Sequence, residues 1–124
     1  MRLKPYRCTA GKLSIGIGRN LDDVGISEDE AHFLLDNDIN RVIVALASAL
    51  PWFVEMDEVR QRVLVDMGFN LGVPGLLKFK NTLAAVERKD YEAAAKGMLA
   101  SKWARQVKGR AETLARWMRS GSDL

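Results

Sequence analysis

Small reactive side chains are concentrated at the start of the chain. The first nineteen residues contain one thiol, Cys8, two small hydroxyl groups, Thr9 and Ser14, and five basic residues, and no carboxylate occurs before Asp22. A basic segment of this kind suits a surface that faces an anionic polymer. The residues alone also allow a simpler reading, in which Cys8 is a small half-buried hairpin residue and Ser14 is a polar strand residue.

The elements that hold these side chains are predicted to form a small hairpin. Isoleucine and glycine alternate over residues 15–18, which is the period-2 pattern of a short strand with one bare face. Glycine on that face lets another backbone or a ligand come close. The turn signal Ala10-Gly11 separates this strand from residues 6–8, and residues 20–25 are expected to follow as a loop.

The remainder of the chain is predicted to be helical. Ser27 and Glu30 form a capping box that starts a long helix, and Pro51 ends it. Later segments with apolar residues at helical spacing lie at residues 56–71, 81–88, 91–99, 101–106 and 110–119. Gly72 and Gly109 are expected to break this series. The predicted fold class is therefore mainly α (α+β), with one small β-hairpin at the N-terminus.

The bulk composition limits the class of protein. A chain of 124 residues with 48% hydrophobic and 28% charged residues is expected to form one soluble globular domain. The longest apolar run, residues 42–50, is too short to span a bilayer, and no secretory signal peptide is apparent. A single cysteine excludes an internal disulfide framework, and the lone histidine, His32, argues against a metal centre.

The charges are arranged in blocks along the chain. Residues 20–58 carry ten acidic groups against one arginine, whereas residues 96–119 carry seven basic groups against one glutamate. With its basic first segment, the chain has two basic ends that suit an anionic partner. Cell wall, nucleic acid and anionic lipid headgroups all satisfy this requirement, so charge alone does not choose among them.

A nucleic-acid partner is disfavoured by the last predicted helix. Arg110–Arg119 would be the contact helix, but it has Leu114, Trp117 and Met118 to bury. The chain also lacks the short clustered helices and turn of a helix-turn-helix protein. We therefore expect no nucleic-acid partner and no stable membrane insertion.

The first segment resembles the phage-type (T4-like) lysozymes. The matching residues are Arg2-Leu3-Lys4-Pro5-Tyr6, Cys8 and Ser14-Ile15-Gly16-Ile17-Gly18. In that family an aspartate or cysteine and a following threonine hold or activate the water that attacks the sugar. The resemblance therefore implies catalytic roles for Cys8 and Ser14.

The resemblance also concerns the general acid. The family's catalytic glutamate lies a few residues upstream of the arginine that matches Arg2, a position that falls before Met1. We therefore expect the general acid to be missing from this chain. Asp22 and Asp23 are the nearest carboxylates, but solvated loop acids are ionised at neutral pH and donate protons poorly.

Two later blocks extend the resemblance. Phe69-Asn70-Leu71-Gly72 matches a family segment whose amide faces the sugar cleft, which maps to Asn70; an asparagine here is also a common helix cap. Ser101-Lys102-Trp103 precedes Gln106 and Arg110, which match cleft residues of the family. The family arginine approaches the catalytic glutamate, so we expect Arg110 to be unpaired here. A solvated basic helix start is the alternative reading of Arg110.

The resemblance implies a two-lobed lysozyme fold within one domain, residues 1–124. Residues 1–26 would form a hairpin lobe, 27–50 a linking helix and 51–124 a helical lobe. Its implied function is that of a phage endolysin, a bacteriolytic muramidase. Such an enzyme cuts the β-1,4 bond between N-acetylmuramic acid and N-acetylglucosamine in peptidoglycan, without metal or cofactor. The alternative is a catalytically dead, lysozyme-derived glycan-binding protein.

Two further expectations follow from the resemblance. The protein would be made as a soluble protein in the host cytoplasm and reach the wall after release by a holin-like partner. In addition, the missing N-terminal segment would leave the core around Val63, Leu64 and Met67 exposed, which predicts self-association or lowered stability.

Overall fold

The computed structural model describes all 124 residues of the chain. Its strands are β1 (Arg2–Arg7), β2 (Leu13–Gly16) and β3 (Arg19–Asn20). Its helices are α1 (Glu28–Ala49), α2 (Glu58–Leu71), α3 (Val73–Leu76), α4 (Lys80–Glu87), α5 (Tyr91–Leu99), α6 (Lys102–Val107) and α7 (Gly109–Ser120). The predicted fold class, mainly helical with a small N-terminal antiparallel sheet, is confirmed. The chain divides into an amino-terminal unit, Met1–Asn37, and a carboxy-terminal unit, Asp38–Leu124.

The sheet of the amino-terminal unit has β2 at its centre, with β1 and β3 as antiparallel neighbours. The turn between β1 and β2 is closed by a hydrogen bond from the Gly11 N–H to the Cys8 carbonyl at 2.8 Å. Gly11 has a φ of 78°, a conformation that glycine adopts without steric cost. The predicted hairpin is therefore present, but β3 lies partly in the segment expected to be loop.

Strand β1 is an edge of this sheet and is largely exposed. Pro5 lies within it. Proline has no N–H to donate to a ladder, so within sheets it is confined to edge strands, strand starts and bulges. The pairing with β2 is irregular between Arg2 and Tyr6, which fits a proline at that place in the strand.

Helix α1 begins at the predicted capping box. The Ser27 hydroxyl accepts from the Glu30 N–H at 3.1 Å, and the Glu30 carboxylate accepts from the Ser27 N–H at 2.9 Å. These two bonds satisfy backbone donors that a helix start otherwise leaves without partners. The helix is 22 residues long, yet none of the chain's helices is long and apolar enough to cross a membrane.

The carboxy-terminal unit contains every buried hydrophobic side chain of the molecule. Val63, Leu64 and Met67 on α2 are each 0% exposed. The expectation that this part of the core is exposed is wrong, because the helices of the carboxy-terminal unit cover it themselves. The largest buried side chains come from α1, α2, α3, α5 and α7, and comprise Leu46, Leu64, Met67, Leu76, Met98, Leu114 and Met118.

Three helices of this unit begin at a side-chain cap. Asp57, Asp90 and Ser101 each accept a hydrogen bond from the third residue of the helix that follows, at 3.0, 3.1 and 3.3 Å. One boundary differs from the prediction. Gly109 begins α7, and the break between α6 and α7 falls on Lys108, whose φ is 47°. The short helix α3 lies where no helix was predicted, since four residues are too few to show a helical period.

The end of α7 is held by an arginine from α2. The Arg60 side chain donates to the Met118 carbonyl at 2.7 Å and to the Arg119 carbonyl at 2.9 Å, and it stacks on the Tyr91 ring at 3.4 Å from the centroid. The last carbonyls of a helix have no partner within the helix. Arg60 supplies those partners, and Gly121 follows with a φ of 69° as the left-handed cap.

Candidate active site

The hairpin brings Cys8 and Ser14 together. Cys8 directly follows β1, and Ser14 lies on β2 opposite Tyr6. The Ser14 hydroxyl donates to the Lys12 carbonyl at 3.4 Å, and the Cys8 N–H donates to the same carbonyl at 2.9 Å. Ser14 is 3% exposed and is the one buried residue of the amino-terminal unit. The thiol and hydroxyl paired by the resemblance are therefore neighbours in the structure.

The backbone around Cys8 changes the acidity of its thiol. The backbone N–H of Lys12 lowers the pKa of the Cys8 thiol, with smaller contributions from the Ala10 N–H and the Ser14 hydroxyl, while partial burial opposes them. Donors that point at sulfur stabilise the thiolate, which is the form that accepts a proton or attacks. The turn therefore gives Cys8 more thiolate character than a free cysteine has.

The two nearest carboxylates are occupied by donors of the same unit. Asp22 accepts from the Leu13 N–H at 2.6 Å and from the Arg7 side chain at 3.5 Å. Asp23 pairs with Lys12 at 3.3 Å. Both therefore hold the end of the sheet together, and neither has a hydrogen bond to Cys8 or Ser14.

The glycine face of the hairpin opens into a groove of about 1060 Å³. The groove is lined mainly by apolar side chains of the sheet and of α1, among them Ile15, Leu21 and Phe33. A Cβ atom added at Gly16 or Gly18 would have no other atom within 4 Å. The predicted glycine side is open, but the strand is shorter than predicted, because β2 ends at Gly16 and residues 17–18 form the turn to β3.

An ion pair borders this groove. Arg19 and Glu30, both in its lining, approach to 2.8 Å. The Arg19 guanidinium lowers the pKa of the Glu30 carboxyl to about 2, and the Ser27 N–H adds to the effect. The same pair raises the pKa of Arg19. Glu30 therefore serves both as a helix cap and as the anchor of β3.

In the carboxy-terminal unit, Asp66 joins two of the predicted site residues. The Asn70 Nδ2 donates to Asp66 Oδ1 at 3.2 Å, and the Arg110 Nε donates to the same oxygen at 3.3 Å. A second bond from Arg110 Nη2 reaches the other carboxylate oxygen, Oδ2. Two of the residues assigned to glycan binding are thus connected through a carboxylate that sequence analysis did not single out.

The expectation that Arg110 is unpaired is wrong. Helix α2 packs against α7, which places Asp66 beside the first turn of α7. A bidentate arginine–carboxylate pair forms there, and Asp66 raises the pKa of Arg110. The signal available in the sequence was the spacing of Asp66 and Asn70, four residues apart on one helix face, but nothing local connects either of them to Arg110.

Gln106 has no hydrogen bond to this cluster. It sits on α6, is exposed and makes no side-chain hydrogen bond in the structure. Asn70 and Arg110 are also exposed, although both are held by Asp66. Asn70 does not act as a helix cap through its side chain, because its amide turns back toward the preceding turn of α2.

The tryptophans and the single histidine lie outside the candidate site residues described above. Trp103 is 3% exposed and belongs to the core, and Trp117 and Trp52 pack against that core. The indole N–H groups of Trp103 and Trp117 are buried without an acceptor. His32 is exposed on α1.

Comparison with known proteins connects both units to one family. A family model described as phage lysozyme matches residues 1–121. The chain is 29% identical to the pre-baseplate central spike protein Gp5 of Enterobacteria phage T4, over 98% of this chain and 26% of that protein. It is 24% identical to a probable T4-type lysozyme 1 of Dictyostelium discoideum, over 98% of this chain and 88% of that protein.

The extent of these matches differs between the relatives. The chain spans about a quarter of the length of the phage spike protein but most of the Dictyostelium protein. Both alignments run over 150 positions, more than the 124 residues of this chain. Each relative therefore carries residues within the matched region that have no counterpart here.

Proposed function

Because the chain belongs to the phage lysozyme family, we propose that it acts on peptidoglycan as a muramidase. The reaction is hydrolysis of the β-1,4 bond between N-acetylmuramic acid and N-acetylglucosamine. The observation that carries this proposal is the hairpin geometry, in which Cys8 and Ser14 both donate to the Lys12 carbonyl and backbone donors of the turn lower the pKa of the thiol. The proposed setting is phage-mediated lysis, in which the protein reaches the cell wall after release from the host cytoplasm.

The proposed roles of the hairpin residues follow from the chemistry of glycoside hydrolysis. An inverting enzyme needs a base that activates water on one face of the sugar and an acid that protonates the leaving oxygen on the other. Cys8, with its stabilised thiolate, takes the proton of the attacking water. The Ser14 hydroxyl, which donates to the Lys12 carbonyl beside Cys8, contributes to stabilising the thiolate.

The acid in this proposal is the glutamate that the family places upstream of Arg2. Asp22 and Asp23 do not replace it, since both are engaged by donors at the end of the sheet. Asn70, Gln106 and Arg110 contribute glycan binding, because their amide and guanidinium groups match the hydroxyl and N-acetyl groups of the sugars.

The test compares peptidoglycan hydrolysis by three proteins. The first is the 124-residue chain. The second carries an N-terminal extension with glutamate at the family position, and the third carries the same extension with glutamine there. Turbidity clearance and muropeptide release are the measurements. We expect only the glutamate form to cut. Cutting by all three would show that another carboxylate supplies the proton and that this site assignment is wrong.

A second candidate function is glycan binding without hydrolysis. The observation that favours it is the pairing of Arg110 with Asp66, since the family arginine approaches the catalytic glutamate. If none of the three proteins cuts but all bind peptidoglycan in a pull-down, this second function is supported. Failure to bind as well would contradict both functions.

The proposed self-association concerns a different surface from the one first expected. The core around Val63 is covered, but one groove of the amino-terminal unit leaves Ile17 86% and Phe33 67% exposed. Exposed apolar side chains of this size promote association when they form a contiguous patch. Sedimentation velocity over a concentration series tests this, and a monomer at all concentrations would contradict it.

A further inference from the structure

The Asp66 carboxylate is the shared acceptor of a three-residue cluster within the carboxy-terminal unit. Its oxygens receive the Asn70 amide at 3.2 Å and the Arg110 Nε at 3.3 Å, with a further bond from the Arg110 Nη2. The Asp66 side chain is only 19% exposed, whereas that of Arg110 is 54% exposed. The carboxylate therefore lies beneath two groups that reach solvent.

The chemistry of this carboxylate fixes the orientation of the Asn70 amide. An ionised carboxylate accepts hydrogen bonds and cannot donate them, whereas a carboxamide has one donating and one accepting end. Asn70 must therefore turn its NH₂ group toward Asp66, and a second contact to the Asp66 backbone carbonyl at 3.4 Å favours the same orientation. The carbonyl oxygen of Asn70 is left to accept from a ligand.

The same carboxylate fixes the plane of the Arg110 guanidinium. Nε and Nη2 are both engaged by Asp66, and a bidentate pair of this kind holds the guanidinium in one plane. The remaining N–H groups on Nη1 are free to donate. The cluster thus presents one fixed acceptor and one fixed set of donors side by side.

We propose that Asp66 is a positioning residue for glycan recognition, which sets Asn70 to accept from an N-acetyl N–H or a sugar hydroxyl and sets Arg110 to donate to a sugar oxygen. This inference rests on the proposed function, because it assumes that this face meets glycan. Asp66 itself does not touch the sugar. Its contribution is to remove the alternative orientations that both side chains would otherwise sample in water.

The experiment measures the affinity of the protein for tri-N-acetylchitotriose and for soluble peptidoglycan fragments by isothermal titration calorimetry. Asp66→Asn keeps the shape of the side chain but lets it donate, so that Asn70 can flip its oxygen inward. We expect the dissociation constant to rise about tenfold, which corresponds to the loss of roughly one hydrogen bond. Asp123→Asn is the matched control, because it breaks an exposed pair with Arg62, and we expect it to change affinity less than about twofold.

A thermodynamic mutant cycle, in which Asp66→Asn is measured with and without its two partners, separates positioning from a general structural effect. If Asp66 acts through its two partners, Asp66→Asn has little further effect in a protein that already carries Asn70→Ala and Arg110→Ala. An equal loss in both backgrounds would show that Asp66 acts otherwise and would overturn the proposal. Asp66→Glu retains the charge and is expected to keep most of the affinity.

A measurement on the unsubstituted protein keeps the test independent of how the variants fold. In its NMR spectrum, the Nδ2 protons of Asn70 are expected to exchange with water more slowly than those of exposed asparagines such as Asn40. Exchange at the same rate would overturn the proposal. If the unsubstituted protein binds neither glycan, the proposed function fails and this inference fails with it. If it binds glycan and Asp66→Asn binds equally well, the positioning role alone is overturned.

Discussion

The two units of the molecule are stabilised in different ways. The carboxy-terminal unit holds all the buried hydrophobic side chains, whereas Ser14 is the one buried residue of the amino-terminal unit. Hydrophobic burial is the dominant favourable contribution to folding. The proposed hydrolytic groups, Cys8 and Ser14, therefore lie in the unit with almost no core of its own.

The amino-terminal unit is organised by its backbone and its polar contacts. The sheet pairs three short strands, Asp22 ties the start of β2, and Arg19 ties β3 to Glu30. Exposed ion pairs contribute little to stability and are screened by salt. Segments of this kind open locally at a free energy below that of global unfolding. We therefore expect substitutions in the amino-terminal unit to change hydrolysis and substitutions in the carboxy-terminal core to change the free energy of unfolding.

The largest expected effect is on hydrolysis and comes from the amino-terminal unit. In the form of the protein that cuts peptidoglycan, Cys8→Ala removes the proposed base and is expected to lower the rate by about 10²–10⁴-fold. Muropeptide release is the measurement, and thermal unfolding is expected to change little because Cys8 lies outside the core. Thr9→Ala, an exposed neighbour, is the control. A large loss of stability in Cys8→Ala would contradict the proposal that the amino-terminal unit contributes to hydrolysis and little to stability.

The next largest effect is on stability and comes from the carboxy-terminal unit. Leu64 is 0% exposed, so Leu64→Ala leaves a cavity and is expected to lower the free energy of unfolding by about 2–5 kcal/mol. Urea denaturation followed by circular dichroism measures it. Ile17→Ala in the amino-terminal unit, where the side chain is 86% exposed, is expected to cost less than about 0.5 kcal/mol. A similar loss of free energy of unfolding in both variants would contradict the proposal that stability comes mainly from the carboxy-terminal unit.

A smaller effect is expected at the end of α7. Gly121 has a φ of 69°, and a Cβ atom added there would lie 2.9 Å from Nη1 of Arg60. Gly121→Ala should therefore lower the free energy of unfolding by about 1–2 kcal/mol, through backbone strain and displacement of Arg60. Gly109→Ala is the matched control, because that position has open space and no positive φ. Equal stability of the two variants would show that the Arg60 contacts are dispensable.

The smallest effect is expected from the pH dependence of the amino-terminal unit. The pKa of Glu30 falls from its ordinary value of 4.5 to about 2 in the folded protein. Because the folded pKa is depressed, the stabilisation is present above pH 4.5 and is lost as the pH falls toward about 2. Hydrogen exchange of the β3 amides should show this loss, and Glu30→Gln should abolish it. An unchanged profile in Glu30→Gln would exclude Glu30 as its source.

The sequence is most informative where local rules decide the structure. The capping box at Ser27 and Glu30 and the end of α2 at Gly72 each depend on a few adjacent residues, and the structure confirms both. The helical period of apolar residues likewise predicts the core on α2 and α7. Strand β3 is only two residues long, too short to show any period.

The candidate site is less predictable because its contacts are long-range. Asp66 and Arg110 are separated by 44 residues, and only the packing of α2 on α7 brings them together. Sequence analysis therefore found Arg110 but assigned it no partner. It also placed the break between α6 and α7 at Gly109, whereas the break falls on Lys108, whose φ is 47°. The roles of Cys8, Ser14, Asn70, Gln106 and Arg110 in catalysis and binding stay predictions.

The proline in β1 has a consequence for how copies of this protein behave when they are crowded. An edge strand with free N–H and C=O groups is a template on which another chain can add a strand and start an aggregate. Pro5 removes one donor from the middle of β1, and the pairing irregularity between Arg2 and Tyr6 distorts the ladder beside it. Although the amino-terminal unit has little core, Pro5 therefore disfavours the addition of a strand from a second copy at the β1 edge.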